Sequence, residues 1–454
     1  MSRSPLGIVL AAGLGTRMRS QTPKVMHTAA GRPLLAWILG TLAEVGARPV
    51  VVLSKESEPA RALLNGEATF AMQDPPRGTG DAVRVALESV KDARGEALIV
   101  YGDTPLVRAD TLRALIALRT ERSAVLAILS GEVGADNAYG RIVRNASGDV
   151  ARIVEARLAT TTEKALAESN LGAYAADLEW LRGAVTRLRA NETGEIFLTD
   201  LVALAVGDGR RVAAHLVADP QEGRGVNTRV ELATAEQALY QRIRERHMLA
   251  GVTFHDPASS FVGADVELAP DVVIERGSLL EGKTRVGSGT RIGPYSVLRD
   301  TTVGENCKAE MSVLEGATLE DDCRIGPFGH LRPGAYLERG VEMGNYGEVK
   351  AARLGAGTKM HHFGYVGDAS VGKRVNIGAG TITMNYTAKR TKERTEIGDD
   401  AFIGSDSLLR APVRVGNRSI TGGGSVVTKD VPDDTVAVGV PARAIKKNQP
   451  KQKA

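Results

Sequence analysis

Residues 261–298 read FVGADVELAPDVVIERGSLLEGKTRVGSGTRIGPYSVL, and an aliphatic side chain returns at every sixth position: Val262, Leu268, Ile274, Leu280, Val286, Ile292 and Leu298. A helix repeats every 3.6 residues and a strand every 2, so a period of six fits neither. It fits a parallel β-helix, in which each hexapeptide gives one short strand and one turn. The aliphatic residue points into a narrow axis, and Gly, Ala or Glu often follows it at the corner. The register slips after Leu298, then resumes at Leu319, Ile325, Leu331, Leu337, Met343 and Val349. It returns at Ile397, Ile403, Leu409, Val415, Thr421 and Val427. Such repeats bury a core only by stacking on one another, so many coils are expected. The 51 glycines and the low aromatic content, 4%, agree with many tight turns.

Toward the N-terminus the pattern changes twice. Thr228 is followed three residues later by Glu231, a capping-box spacing, and Leu232, Leu239 and Ile243 then recur at helical intervals up to Gly251. This predicts a linker helix over 229–250. From 1 to 228, short apolar runs (LGIVLAAG, PVVVLS, ALIVYGD, SAVLAIL) alternate with helix-like stretches such as Pro33 to Val45 and Asp81 to Val90. Apolar runs without alternation suit strands buried on both faces. The expected architecture is a Rossmann-like α/β domain with a mostly parallel sheet at 1–228, then the linker, then a left-handed parallel β-helix with a C-terminal tail at 251–454.

A chain of 454 residues is too long for one core, which agrees with two domains. The net charge of +4 is too mild to indicate nucleic acid and suits small anionic substrates. The two cysteines, Cys307 and Cys323, make neither a disulfide framework nor a zinc motif and read as small interior hydrophobes. No run approaches the roughly 20 apolar residues of a membrane span. The N-terminal MSRSPLGIVLAAGLG reads as a first strand and not as a secretory leader. A cytoplasmic protein is expected. The interruption NYTAKRTKERTE at 385–396 is read as a basic loop thrown out of the repeat, and KKNQPKQKA at the C-terminus as a solvated tail.

Two regions carry candidate chemistry. LAAGLGTRM at 10–18 follows the first predicted strand and should lead toward a helix, so its backbone N–H groups would be free to cradle phosphate. It is neither GxGxxG nor a P-loop. Arg17 and Lys24 put two cations beside it; from spacing alone, a plain turn with surface cations is an equal reading. Asp103 ends the apolar strand ALIVYGD at the sheet's carboxyl edge, where open α/β sheets bind ligands, although a lone Asp there is also a common turn former. In the second region KMHHFGYVGD places His361 beside His362. Histidine accepts a proton near neutral pH. On a strand the two would face opposite sides, so at most one is a base. Scattered Arg and Lys on a β-helix otherwise read as a solvated face.

LAAGLGTRM with Pro23-Lys24 resembles the signature of the sugar-1-phosphate nucleotidyltransferases. GTGDAV at 78–83, YGDTPL at 101–106, YGRIVR at 139–144, IVEA at 153–156, NLGAY at 170–174, LTDL at 198–201 and GVNTR at 225–229 extend the match. The whole chain resembles the bifunctional N-acetylglucosamine-1-phosphate uridylyltransferase/glucosamine-1-phosphate acetyltransferase family. That resemblance implies UDP-N-acetylglucosamine synthesis, feeding peptidoglycan and lipopolysaccharide synthesis in a bacterial cytoplasm. UTP and acetyl-CoA would be co-substrates, and the assembly a homotrimer with sites between neighbouring helices.

At matching positions the resemblance implies that Leu10, Ala11, Ala12 and Gly13 wrap the nucleotide. Gln73, Gly78 and Thr79 would read uracil, and Arg17 and Lys24 would hold the triphosphate as catalytic cations. Tyr101 and Gly102 would line the same site, Gly140, Glu155 and Asn170 would hold the sugar, and Asp103 and Asn227 would bind Mg²⁺. A carboxylate and an amide oxygen suit that hard cation. In the second domain His362 would be the base. Arg332, Lys350, Tyr365, Asn376 and Lys392 would hold glucosamine 1-phosphate, while Ala379, Asn385, Tyr386, Ser405 and Gly423 would line the acetyl-CoA groove. Glu348 would orient the base, and Arg443 would complete a neighbour's site.

The sequence departs from the family at three places: Leu14 replaces a frequent Lys, Gly423 a usual Ala, and the 385–396 loop lacks NYDG and is longer by one residue. The last bears on the placement of Lys392 and on the fit of the coenzyme. A monofunctional nucleotidyltransferase with a structural or regulatory β-helix is the alternative reading, against which the histidine pair and the basic loop argue.

Overall fold

The structure, a computed structural model, describes residues 4–64, 68–134, 137–192 and 194–447. Two compact units divide between Leu239 and Tyr240, inside a single helix. In the first unit the main strands are β1 (Leu6–Leu10), β2 (Arg48–Leu53), β3 (Thr69–Met72), β4 (Glu96–Tyr101) and β5 (Leu126–Glu132). They continue with β6 (Arg141–Arg144), β7 (Val150–Val154), β8 (Glu168–Asp177) and β9 (Val212–Leu216). The sheet runs β9-β5-β8-β4-β1-β2-β3, with the β6–β7 hairpin off β8. Only β8 among the seven runs antiparallel to its neighbours. Ile8 and Leu10 join the core on one face while Val9 and Ala11 join the other, which is why β1 shows no polar alternation.

Helix α1 (Leu34–Val45) buries Leu34, Leu35, Ile38 and Leu42 and stops at Gly46, whose φ is +74°. The glycine-rich turn after β1 does not run directly into it. Two 3₁₀ turns (Thr16–Met18 and Lys24–Met26) and a short hairpin (Thr28–Ala29 with Arg32–Pro33) come first. The turn is therefore an open loop and not a helix N-terminus. Helix α2 (Thr79–Ser89) begins after Gly78, whose φ is +106°. A Cβ there would stand 2.5 Å from Ile196 O and 2.8 Å from Ile196 N, so only glycine fits.

Helix α3 spans Arg229–Leu249. Its start has both halves of the capping box: Glu231 N donates to Thr228 Oγ1 (3.2 Å) and Thr228 N to Glu231 Oε2 (2.8 Å). It stops at Gly251, φ +95°.

In the second unit three parallel sheets carry successive coils, and the hexad residues stack inside. One interior column runs Ile274, Ile292, Ala309, Ile325, Met343, Met360, Ile377, Ile403, Thr421, and a second Leu280, Leu298, Leu314, Leu331, Val349, Val366, Thr383, Leu409, Val427. All are buried. The register slip has a simple cause: between Leu298 and Leu319 the interior positions are Val303, Ala309 and Leu314, so some steps shorten to five residues while the stacking continues. Leu268, near the open end, is only half-buried. The 385–396 loop is shorter than expected, because strand pairing resumes at Thr395–Ile397. Cys307 and Cys323 are both buried and free, as expected.

The last coil ends differently. Strand Thr435–Gly439 pairs parallel with Ile420–Thr421 on one side and antiparallel with Ala442–Lys447 on the other. Lys446 and Lys447 thus belong to a strand; the rest of the expected tail lies outside the described residues.

Candidate active sites

In the first unit the carboxyl ends of β1 and β4 open into two cavities that share Thr79, Tyr101 and Glu195. The larger, about 1120 Å³, is lined among others by Arg17, Lys24, Asp103, Gly140, Glu155, Asn170 and Asn227. The smaller, about 390 Å³, is lined by Leu10, Ala12, Gln73, Gly78 and neighbours. Ala11, Gly13 and Gly102 line neither. Ala11 packs into the core and its N–H is engaged by Val52 O (2.9 Å), while a Cβ on Gly102 would press on Ala11 and Val25.

Asp103 lies two residues beyond the end of β4 and not on it. Val226 N donates to Asp103 O (2.8 Å), which brings Asn227 alongside. Lys24 Nζ reaches both side chains, donating to Asp103 Oδ2 and, at 3.1 Å, to Asn227 Oδ1. Two oxygen donors thus converge on one cation. Arg17, by contrast, makes no ion pair among the described residues and is free to meet an anion in the cavity.

Polar groups around the cavities are held in place. Gln73 is buried, and both amide hydrogens are engaged, by Gly78 O (2.9 Å) and Asp81 Oδ2 (2.9 Å). Its carboxamide oxygen is left to accept from a ligand N–H. Asn170 donates to Tyr174 Oη (2.7 Å) and accepts from Gly172 N (3.1 Å). Thr199 Oγ1 donates to Glu155 Oε1 (2.9 Å). Burial, with Glu155 and Asp103 nearby, pushes the Tyr101 hydroxyl above the ordinary tyrosine range, so it stays protonated. The sequence reading missed Tyr139, Glu195, Thr199 and Arg224, which also line the larger cavity. Tyr139 and Thr199 lie inside quoted family segments, and Arg224 stands just before GVNTR, so their positions were in view although their cavity roles were not.

In the second unit the candidates form two groups at opposite ends of the short strands of one sheet. At the far end, Arg332, Lys350, Tyr365, Asn385 and Lys392 cluster around Asp368. Lys350 Nζ lies 3.3 Å from Asp368 Oδ2, Asn385 Nδ2 donates to Tyr365 Oη (3.2 Å) and to Asp368, and Lys392 meets Lys350. The facing Lys350 head group pushes Lys392 below the ordinary lysine range. Such a concentration of cations draws an anion. Glu348 bonds Arg332 (2.9 Å) and has no histidine partner among the described residues. Asp368 itself was not foreseen.

At the near end, His362, Ala379, Ser405 and Gly423 occupy the same corner on successive coils. Asp406 N donates to Ala379 O (2.6 Å) and Gly424 N to Ser405 O (2.8 Å). His361 and His362 do not lie on a strand: the strand ends at Met360 and both are exposed at the corner. His361 Nε2 is tied to Glu342 Oε2 (2.7 Å), while His362 has no side-chain hydrogen bond or ion pair among the described residues. Tyr386 is exposed on the loop, paired to Lys392 through a β-bridge. Asn376 stands apart: it faces outward from a different sheet, between Lys359 and Phe402, and joins neither group within one chain.

An α/β unit whose strand-end cavity gathers Arg17, Lys24, Asp103 and Asn227, followed by a hexapeptide β-helix with a histidine-bearing corner, defines a nucleotidyltransferase joined to a hexapeptide-type transferase. Comparisons with known proteins agree. Residues 7–191 match the MobA-like NTP transferase domain, and residues 394–429 the bacterial transferase hexapeptide (six repeats). Alkalilimnicola ehrlichii has a relative named bifunctional protein GlmU that is 44% identical over 95% of this chain and 93% of its own. Proteins of the same name from Heliobacterium modesticaldum (42%; 97% of this chain, 96% of that one) and Streptococcus equi subsp. zooepidemicus (40%; 98% and 97%) match similarly. The chain belongs to the family of bifunctional GlmU proteins, whose C-terminal part is a left-handed β-helix of hexapeptide repeats.

Proposed function

We infer that this chain makes UDP-N-acetylglucosamine in two steps, one per unit. The observation that carries this reading is that the relatives match across both units, each of which holds its own cluster of chemistry-bearing residues. Acetyl-CoA first acetylates glucosamine 1-phosphate; UTP then uridylylates the N-acetylglucosamine 1-phosphate, releasing pyrophosphate.

For the first step, Arg332, Lys350 and Lys392 hold the sugar phosphate, with Tyr365 beside it. His362 takes a proton from the amine. The nitrogen attacks the thioester carbonyl, the C–S bond breaks, and the thiol leaves with a proton. Ala379, Ser405 and Gly423, stacked above His362, fit a groove for the coenzyme, with Asn385 and Tyr386 at its side. Asn376 serves the site from a second copy of the chain. Its position on another sheet supports this, and with it a homotrimer.

For the second step, Gln73 accepts from the uracil N–H, with Gly78 and Thr79 alongside. Glu155, Asn170 and Gly140 hold the sugar, and Arg17 and Lys24 neutralise the triphosphate. The sugar phosphate attacks the α-phosphorus in line, and pyrophosphate leaves. No general base is required, since the nucleophile is already anionic. The convergence of Asp103 and Asn227 oxygens on a single cation fits Mg²⁺, which takes hard oxygen ligands and keeps other positions for phosphates and water. When bound it would draw charge from the phosphates and align them. No helix among the described residues is long and apolar enough to cross a membrane. The substrates are intracellular metabolites, so the cytoplasm is the proposed compartment.

The test is thiol release from acetyl-CoA on adding glucosamine 1-phosphate without UTP, for the wild type and His362→Ala. Release that vanishes in the variant supports the second activity and its base. No release from folded wild type leaves a uridylyltransferase carrying a structural β-helix.

A further inference from the structure

The position of Lys24 carries a conclusion beyond phosphate binding. Its ammonium sits on Asp103 and Asn227, the same two oxygens proposed to hold the metal. The Lys24 and Asp103 side chains are each only 13% exposed, so water screens the pair little. A divalent ion about 2.1 Å from both oxygens would overlap the ammonium, which stands 3.1 Å from one of them. One cation at a time is therefore the rule at this place.

The acceptors are fixed and the donor is not. Asp103 and Asn227 are joined through Val226 N to Asp103 O (2.8 Å), and Asn227 N is anchored on Glu231 Oε2 (2.8 Å). Lys24 reaches them from another segment, and apart from its ammonium no hydrogen bond holds its side chain among the described residues. A Cβ on Gly15 would come within 2.8 Å of Lys24 Cβ, so the lysine stem rests against the glycine-rich turn that carries Arg17. Beyond that contact the stem is four carbons with rotatable bonds. Its head group is thus able to swing from the two oxygens toward phosphates seated at that turn.

We propose that Lys24 is an internal counter-ion: it occupies the metal position in the free protein and moves to the triphosphate when nucleotide and metal arrive together. Metal alone then meets an occupied site, and triphosphate alone meets a lysine engaged elsewhere. The two ligands bind cooperatively, because each relieves a cost for the other. This rests on reading Asp103 and Asn227 as the metal donors.

The experiment measures Mn²⁺ binding to the full-length, nucleotide-free protein by electron paramagnetic resonance of the free ion. Lys24→Met keeps the stem and removes the charge. It is expected to bind Mn²⁺ about tenfold tighter than the wild type or better. Equal or weaker binding by the folded variant overturns the counter-ion role. Adding Asp103→Ala to Lys24→Met should abolish the gain; retained tight binding shows instead that the metal sits elsewhere, which sinks the donor assignment and not only the role of Lys24. A wild-type readout guards against misfolding of the variant. Acetic anhydride labelling of Lys24, followed by peptide mass spectrometry, should rise severalfold when Mn²⁺ saturates the nucleotide-free protein. Unchanged labelling at saturation overturns the proposal.

Discussion

Replacing Gly78 by alanine tests the geometry that joins the two cavities of the first unit. Gly78 has φ +106° and ψ 175°, a region that costs a residue with a Cβ about 1–3 kcal/mol. The new methyl would also stand 2.5 Å from Ile196 O, 2.8 Å from Ile196 N and 2.9 Å from Glu195 Cγ. Two of these neighbours are backbone, so they move only if the 195–197 segment moves, at about 1–3 kcal/mol more for overpacking. The expected loss is therefore about 2–6 kcal/mol, a large part of the roughly 5–15 kcal/mol of a typical domain. Both tryptophans, Trp37 and Trp180, lie in the first unit, so urea unfolding followed by tryptophan fluorescence reports on that unit alone. Because Gly78 O also holds Gln73, the KM for UTP should rise at least about tenfold while acetyl transfer is unchanged. A folded Gly78→Ala protein within about 0.5 kcal/mol of wild type, with the same KM, would refute the steric reasoning.

Three further outcomes are expected. Asp103→Ala should lower uridylyl transfer by about a thousandfold or more and leave acetyl transfer intact, checked by separate pyrophosphate and thiol assays; loss of both in a folded protein would contradict independent sites. Lys350→Ala and Asn376→Ala should each abolish acetyl transfer, yet a 1:1 co-assembled mixture should recover about a quarter of wild-type activity, the random share of sites that take each residue from an unmutated face. No recovery would place both residues in one chain's site. Burial, with Arg246 nearby, lowers His247 to about 4 from an ordinary 6.5, so the unfolded chain takes up the proton first as pH falls. Stability of the second unit should decline from pH 6.5 toward 4, and His247→Leu should flatten that decline in a circular-dichroism melt.

The repeat was legible because the β-helix interior admits one side chain per corner strand, so every coil writes the same demand into the sequence. What escaped was the five-residue step. Val303, Ala309 and Leu314 fill the axis as well as their neighbours do, but unequal corners break the count. The α/β strands were legible from uninterrupted Val, Ile and Leu runs; the path after β1 was not, since 3₁₀ turns leave no periodic signal. Site residues were legible where a family segment covers them. Pairings were not. Sequence spacing does not reveal that Glu348 meets Arg332, that Asp368 gathers Lys350 and Asn385, or that His361 is tied to Glu342 while His362 remains free.

The reversed strand Ala442–Lys447 has a consequence for solubility. A stack of parallel coils has an adhesive open end, since the backbone groups of its terminal rung match the first rung of any identical stack. Here the last parallel rung, Thr435–Gly439, is covered by a strand of opposite direction bearing Arg443, Lys446 and Lys447. The reversal breaks the pattern that another coil would copy, and the positive charges repel a like end. On this sheet it serves as a terminator, disfavouring the end-to-end growth that an uncapped rung would invite.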